Sequence, residues 1–210
     1  EDKRRFPTEV VDLPSKGLLY PKGSPLAGGT IELKYMTAKE EDILTSQNLI
    51  KKGVVIDKLL DSLILTEGVK ADDLVLGDKN AVLIASRILA YGPEYTVEVT
   101  NPNDVDEKIE HTFDLSQCPF KELSKDVDYS DNSFDFTTLV GKNKLKFKLL
   151  TGADETLIEK DIKQSSKFGV SSDITTRLRY TVIEVDGDSK SQTINGFIQN
   201  FLARDSVALR

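Results

Sequence analysis

The chain of 210 residues has one cysteine, one histidine and one methionine. A single thiol, Cys118, excludes an internal disulfide and fits a reducing compartment such as the cytosol. A single imidazole, His111, excludes a histidine-based triad and any multi-histidine metal site within one chain. No apolar run approaches the roughly 20 residues needed to span a bilayer. No signal peptide is visible, although a chain that opens on Glu1 rather than methionine leaves a removed segment open.

What is present is ordinary globular material, 39% hydrophobic and 30% charged. It suffices for the core of one large domain or two small ones. The net charge of −7 belongs to residues 1–120, with 14 Lys and Arg against 21 Asp and Glu, whereas residues 121–210 hold 14 of each. That balance argues against duplex nucleic acid as a partner and leaves a basic protein open. Solubility is the plainest reading of the acidity.

The prolines and glycines of residues 1–29 predict an extended arm with a short edge strand near Val10 and a turn, not a phosphate cradle, at Gly28-Gly29. Ile31, Leu33 and Tyr35 alternate with Glu32, Lys34 and Met36 and predict a strand. Thr37 and Glu40 then form a capping box, Gly53 breaks the helix, and Ile56, Leu59, Leu60 and Leu63 make the apolar stripe of a second helix. A third helix is expected from Asp78, as N-cap, to Gly92. Its apolar content places it at the centre of the first core, surrounded by protein. Alternation over 94–100 and 109–115 predicts a hairpin that closes a domain at 30–117, with His111 as a structural residue at a sheet edge.

The polar segment 118–132 reads as a linker to a region at 133–210. There, strands over 133–139 and 144–150 form a second hairpin whose Lys144, Lys146 and Lys148 make a solvated face. Helices are expected over 154–168 and 173–185. A further stripe runs from Ile194 to Leu202, and Asp205 is placed to cap one last helix. The fold class is α+β: a helical N-terminal core with a β-hairpin, then a second hairpin and C-terminal helices. No segment recurs at a fixed period, so no repeat architecture is expected.

Chemistry is thin. Cys118 precedes Pro119 and lacks an evident base or second thiol. Asp126, Asp128 and Asp131 suggest an EF-hand, but the loop's glycine and closing glutamate positions hold Asp131 and Thr137. No catalytic, cofactor or metal residue is assigned, and the protein is not expected to be an enzyme.

Four stretches carry a resemblance: LPSKGLLYP at 13–21, KYMTAKEEDIL with LIKKGVVIDKLLDSLI across 34–64, ASRILAYGPEYTVEVT at 85–100, and NFLARDSVALR at 200–210. Together they resemble the baseplate hub and hub-assembly proteins of T-even-like contractile-tailed bacteriophages, the myoviruses. The resemblance implies binding of other hub or tail proteins, with a tape-measure protein as one candidate. It also implies a location in host cytoplasm during assembly and in the virion tail baseplate if the protein is retained. Relatives often carry a CPxC-like turn where this chain has Asn101-Pro102-Asn103-Asp104, so a zinc knuckle does not carry over. Longer relatives continue past the ARDSxALR helix; this chain is of the shorter kind or is truncated. A hub subunit kept in the virion is favoured over a transient assembly factor, and an enzyme acting on envelope or nucleotides is the remote third reading. The expected partner interface is the thin stripe Leu157, Ile158 and Ile162 together with Val207 and Leu209.

Overall fold

In the computed structural model, which describes residues 6–101, 104–167 and 172–210, the alternation of Ile31 and Leu33 with charged residues becomes a half-buried strand. Strand β1 (Thr8–Asp12) pairs antiparallel with β2 (Thr30–Lys34), Val11 opposite Ile31 and Glu9 opposite Leu33. The β1–β2 connection doubles back tightly. Gly17 and Gly29 both adopt positive φ, and a Cβ at Gly17 would strike the Ala27 carbonyl.

β2 stops at Lys34, short of the expected Met36, because the chain turns into the capping box that opens helix α1 (Ala38–Thr45). Glu40 closes that box from full burial. Its Oε1 accepts from Lys34 Nζ at 2.8 Å and Ser62 Oγ at 2.7 Å, and its Oε2 from Thr37 Oγ1 at 2.6 Å and Thr37 N at 3.0 Å. Burial alone would raise the carboxyl pKa. The hydrogen bonds from Lys34, Thr37 and Ser62 outweigh it and bring the value from 4.5 down to about 2. Helix α2 (Gln47–Lys52) ends at Gly53 in the left-handed region, φ 74°. Helix α3 (Val55–Leu63) buries Leu59, Leu60 and Leu63, and Ile64 bridges back to Leu33.

Helix α4 (Leu76–Tyr91) departs from expectation twice. Asp78 is not its N-cap but its third residue. There the buried carboxylate accepts from Ser15 N at 2.9 Å and Ser15 Oγ at 2.6 Å, fixing the loop after β1. Nor is α4 enclosed: Ala81, Val82 and Ser86 are buried, but Leu83, Ile84, Ile88 and Leu89 are only half-buried. The core of this unit sits instead around Leu26, Ile31, Leu33, Leu60 and Leu63. Strands β3 (Glu94–Asn101) and β4 (Asp104–Asp114) follow as a two-stranded ribbon; Pro102 and Asn103, in the turn read above, lie outside the described residues.

In the second half β5 (Phe134–Thr137) and β6 (Lys144–Phe147) form the expected hairpin. Helix α5 (Gly152–Ser166) starts at a Thr151–Asp154 capping box; Phe168, its expected end, lies outside the described residues. Helix α6 ends at Thr181 (Asp173–Thr181), not at Val185. The β-branched run Val182-Ile183 opens strand β7 (Val182–Val185), which joins the free edge of β6, with Val185 opposite Leu145. Lys146 thereby lies opposite Asp135 on one side and Glu184 on the other. Helix α7 (Ser191–Gln199) holds Ile194, Phe197 and Ile198 of the expected stripe, while Phe201 and Leu202 fall beyond its end. Helix α8 (Ala203–Leu209) begins ahead of Asp205, which is its third residue and not its cap.

Two of the strand-to-helix joints are built alike. Lys34, Thr37 and Glu40 recur 114 positions later as Lys148, Thr151 and Asp154. Lys148 Nζ donates to Asp154 Oδ1 at 2.7 Å, while Thr151 N and Oγ1 donate to Oδ2 at 3.0 and 3.2 Å. Leu33 is bridged to Ile64 just as Phe147 is paired with Val182. Asp78, third in α4, holds the loop after β1; Asp205, third in α8, holds the loop after β5 by accepting from Val140 N at 2.8 Å and Gly141 N at 3.0 Å. The β3–β4 ribbon takes no part in either joint.

Contacts divide the chain into two compact units, neither continuous in sequence. One comprises residues 1–17, 25–71 and 77–125; the other comprises 18–24, 72–76 and 126–210. Within the second, Val75 bridges to Thr151, Leu76 N donates to Leu150 O at 2.9 Å, and Gly152 N donates to Leu74 O at 2.9 Å.

Because the folded Glu40 carboxyl titrates near 2 and its unfolded value is 4.5, its contribution is complete above about pH 4.5 and is lost as pH falls toward 2. At 1.36 kcal/mol per unit this is on the order of 3 kcal/mol. Urea titrations at pH 7, 4 and 3 are expected to show stability falling with acid, and a shallower fall for Glu40→Gln, which starts less stable at pH 7. Asp78→Ala leaves the Ser15 N–H and hydroxyl without their acceptor and should cost about 1–3 kcal/mol in the same assay.

Candidate docking surfaces

The five residues expected to form a partner interface do not share one surface. On α5, Leu157 is 47% exposed, whereas Ile158 is fully buried and Ile162 half-buried. Successive helical residues point about 100° apart, so the stripe read from the sequence mixes a solvent face with a core face. Ile158 therefore has no surface to offer a partner. On α8, Val207 is 66% exposed, but Leu209 packs on the cluster of Leu145, Leu178, Val182, Val185, Ile194 and Ile198. Polar contacts between α5 and α6 use the flanking positions: Arg177 makes a bidentate pair with Glu155 at 2.7 and 2.5 Å, and Tyr180 donates to Asp161 at 3.0 Å.

The reactive residues are dispersed. His111 lies exposed on β4, its ring centroid 4.4 Å from Phe113. Cys118 is exposed in the segment after β4. Asp128 accepts from Ser130 N at 3.0 Å, an Asx turn within the stretch compared with a calcium loop. Among the described residues no group of three or more His, Cys, Asp or Glu side chains is arranged to hold a metal ion. An open crevice of about 490 Å³ lies against the β1–β2 connection, lined by Leu13, Lys16, Gly29, Phe120 and Lys121 among others.

The ribbon β3–β4 is the surface that sequence reasoning passed over. Its register sets Tyr95 opposite Phe113, Val97 opposite His111 and Val99 opposite Ile109, which places these side chains on one face. Tyr95, Phe113 and Ile109 remain 44, 46 and 38% exposed. Glu94, Thr96 and Glu98 occupy the other face, opposite Asp114, Thr112 and Glu110. Arg87 anchors the base by donating to Gly92 O at 3.2 Å and Glu94 O at 3.4 Å. Its guanidinium lies 4.7 Å from the Tyr91 ring and 5.7 Å from that of Tyr95. Periodicity had identified the strands; their alternating charged and apolar sides were the signal of an open face.

A family model described as T4 bacteriophage base plate protein matches residues 8–200, from the first residue of β1 to just past α7. The chain belongs to that family. No curated protein matches this baseplate protein, and no solved structure does. Its family points to phage tail proteins as partners and to the virion tail baseplate as its place. No helix among the described residues is long and apolar enough to cross a membrane.

The two faces of α5 predict opposite outcomes. Ile158→Asp buries an unpaired charge and should abolish cooperative unfolding of its unit, or cost more than about 4 kcal/mol. Leu157→Asp in the baseplate protein should shift stability by no more than about 0.5 kcal/mol. Urea denaturation followed by circular dichroism measures both.

Proposed function

We propose that this baseplate protein is a structural subunit of the baseplate hub, retained in the virion and acting by protein–protein binding. The observation that carries the hub reading is the stretch across 34–64, KYMTAKEEDIL followed by LIKKGVVIDKLLDSLI, which resembles hub and hub-assembly proteins and lies within the family match. Folding accounts for the cap and the stripe in that stretch, but not for its particular wording.

A non-catalytic role is part of the proposal. The buried carboxylates that could serve acid–base chemistry are engaged in architecture. Glu40 and Asp154 join a strand to the helix after it, and Asp78 and Asp205 hold loops. Partners are other hub or tail proteins, with a tape-measure protein as one candidate, met first in the host cytoplasm.

The second reading, favoured by the same resemblance, is an assembly factor that holds a hub component and then departs. Quantitative peptide mass spectrometry of purified virions separates the two. Hub-level stoichiometry is the expected result; presence in infected-cell lysate with absence from mature particles would overturn retention and establish the transient role.

A further inference from the structure

The ribbon β3–β4 carries nearly all of the chain's excess charge. From Glu94 to Asp114 the sequence holds seven acidic residues against Lys108 alone, a net −6 of the total −7. The other 189 residues, with 28 acidic and 27 basic side chains, are almost neutral. Solubility would be served by charge spread over the surface, so this concentration calls for a local reason.

The register makes the concentration costly. Glu94 stands opposite Asp114, and Glu98 opposite Glu110. Like charges directly opposite one another destabilise an antiparallel pair, and a two-stranded ribbon is marginal in water to begin with. Lys108, 3.3 Å from Glu98, gives partial relief to one of these pairs. On the reverse face Tyr95, Ile109 and Phe113 stay open to solvent. Folding favours neither feature, and a sequence that departs from local consistency does so most often where it functions.

We propose that the ribbon is the docking site for a basic protein surface. The partner offers an apolar floor to Tyr95, Ile109 and Phe113. Lysine or arginine side chains at its rim reach round the two edges of the ribbon to Glu94, Glu98, Glu110 and Asp114. The proposal rests on the baseplate reading only for the source of the partner, another tail protein of the same phage. Duplex nucleic acid and anionic membrane are repelled by this charge, and a second copy of the chain brings the same −6. Docking neutralises both like-charged pairs while covering the apolar face, so the groups that cost the free ribbon stability favour the complex. Opposite charge also steers the encounter, which makes association fall with salt.

The test uses the full chain, immobilised, against individually purified baseplate and tail proteins of the same phage at 50 and 500 mM NaCl. Phosphatidylserine-containing vesicles and duplex DNA are run alongside. Variants are Glu110→Lys, Phe113→Ser and, as a charge-matched change elsewhere, Glu67→Lys, each checked by its urea midpoint. The expected result is binding to a basic tail protein that weakens at least tenfold between the two salts. Glu110→Lys and Phe113→Ser should each weaken it at least tenfold further, and Glu67→Lys should not. Glu110→Lys is decisive because it removes a like-charged pair: the ribbon should be at least as stable while binding is lost, which a merely structural residue would not show. The proposal is overturned by equal binding of both ribbon variants, by salt-insensitive binding, or by the absence of any tail-protein binding. Vesicle or DNA binding that depends on the ribbon, or self-association that Phe113→Ser abolishes, also overturns it. None of these outcomes bears on the presence of the protein in virions, so retention and ribbon docking fail separately. The absence of any tail-protein binding counts against the ribbon and the binding role alike, whereas equal binding of the ribbon variants overturns the ribbon alone.

Discussion

A buried carboxylate at the joint between a strand and the helix after it sets the architecture. An ionised carboxylate without partners inside a protein is strongly destabilising. Glu40 is tolerated because donors from the end of β2, from the start of α1 and from α3 occupy both its oxygens. One group thereby fixes where the strand stops, where the helix starts and where the third element docks. Asp154, shorter by one methylene, makes the first two connections through Lys148 and Thr151. The docking of α6 on α5 is left to other side chains, the Arg177–Glu155 and Tyr180–Asp161 contacts.

The local joints were legible in the sequence for a simple physical reason: the partners are close along the chain. Thr37 and Glu40 are three residues apart, Gly53 acts on its own helix, and the hairpin strands show their alternation directly. What could not be read was the partner at long range. Asp78 has the composition of an N-cap, but its acceptor capacity goes to Ser15, 63 residues away. Ile174, Leu178, Val182 and Val185 fit one helical stripe, yet the exposed edge of β6 captures the last two as a strand. The likeness of the two joints was hard to see because it rests on a lysine, a threonine and a carboxylate spread over seven positions. The mixed stripe on α5 misled for the same reason: apolar residues at 157, 158 and 162 cannot show which face a neighbouring helix will cover.

In each unit a strand pair, a capped helix and an aspartate that holds the intervening loop use buried polar groups for structure. The candidate binding surfaces lie elsewhere. The ribbon after α4 takes no part in either joint, is tied at its base by Arg87, and carries both apolar and acidic groups to solvent. On the docking proposal, the ribbon supplies the contact surface and the buried carboxylates supply the fold, so the two roles fall on different residues.

The interleaving of the two units has a consequence for synthesis on the ribosome. Val75 and Thr151 bridge one another, and Tyr20 offers its hydroxyl oxygen to Val75 N at 3.2 Å. Residues 18–24 and 72–76 thus emerge long before most of the unit to which they belong. At about 5–20 residues per second, the backbone of Val75 waits on the order of 4–15 seconds for its strand partner. During that interval the first unit can close around Glu40, leaving the early segments as unpaired edges that the later chain must find. A cut in the polar stretch at 118–132 would make the wait permanent: the downstream fragment would contain α5 to α8 and still lack two pieces of its unit.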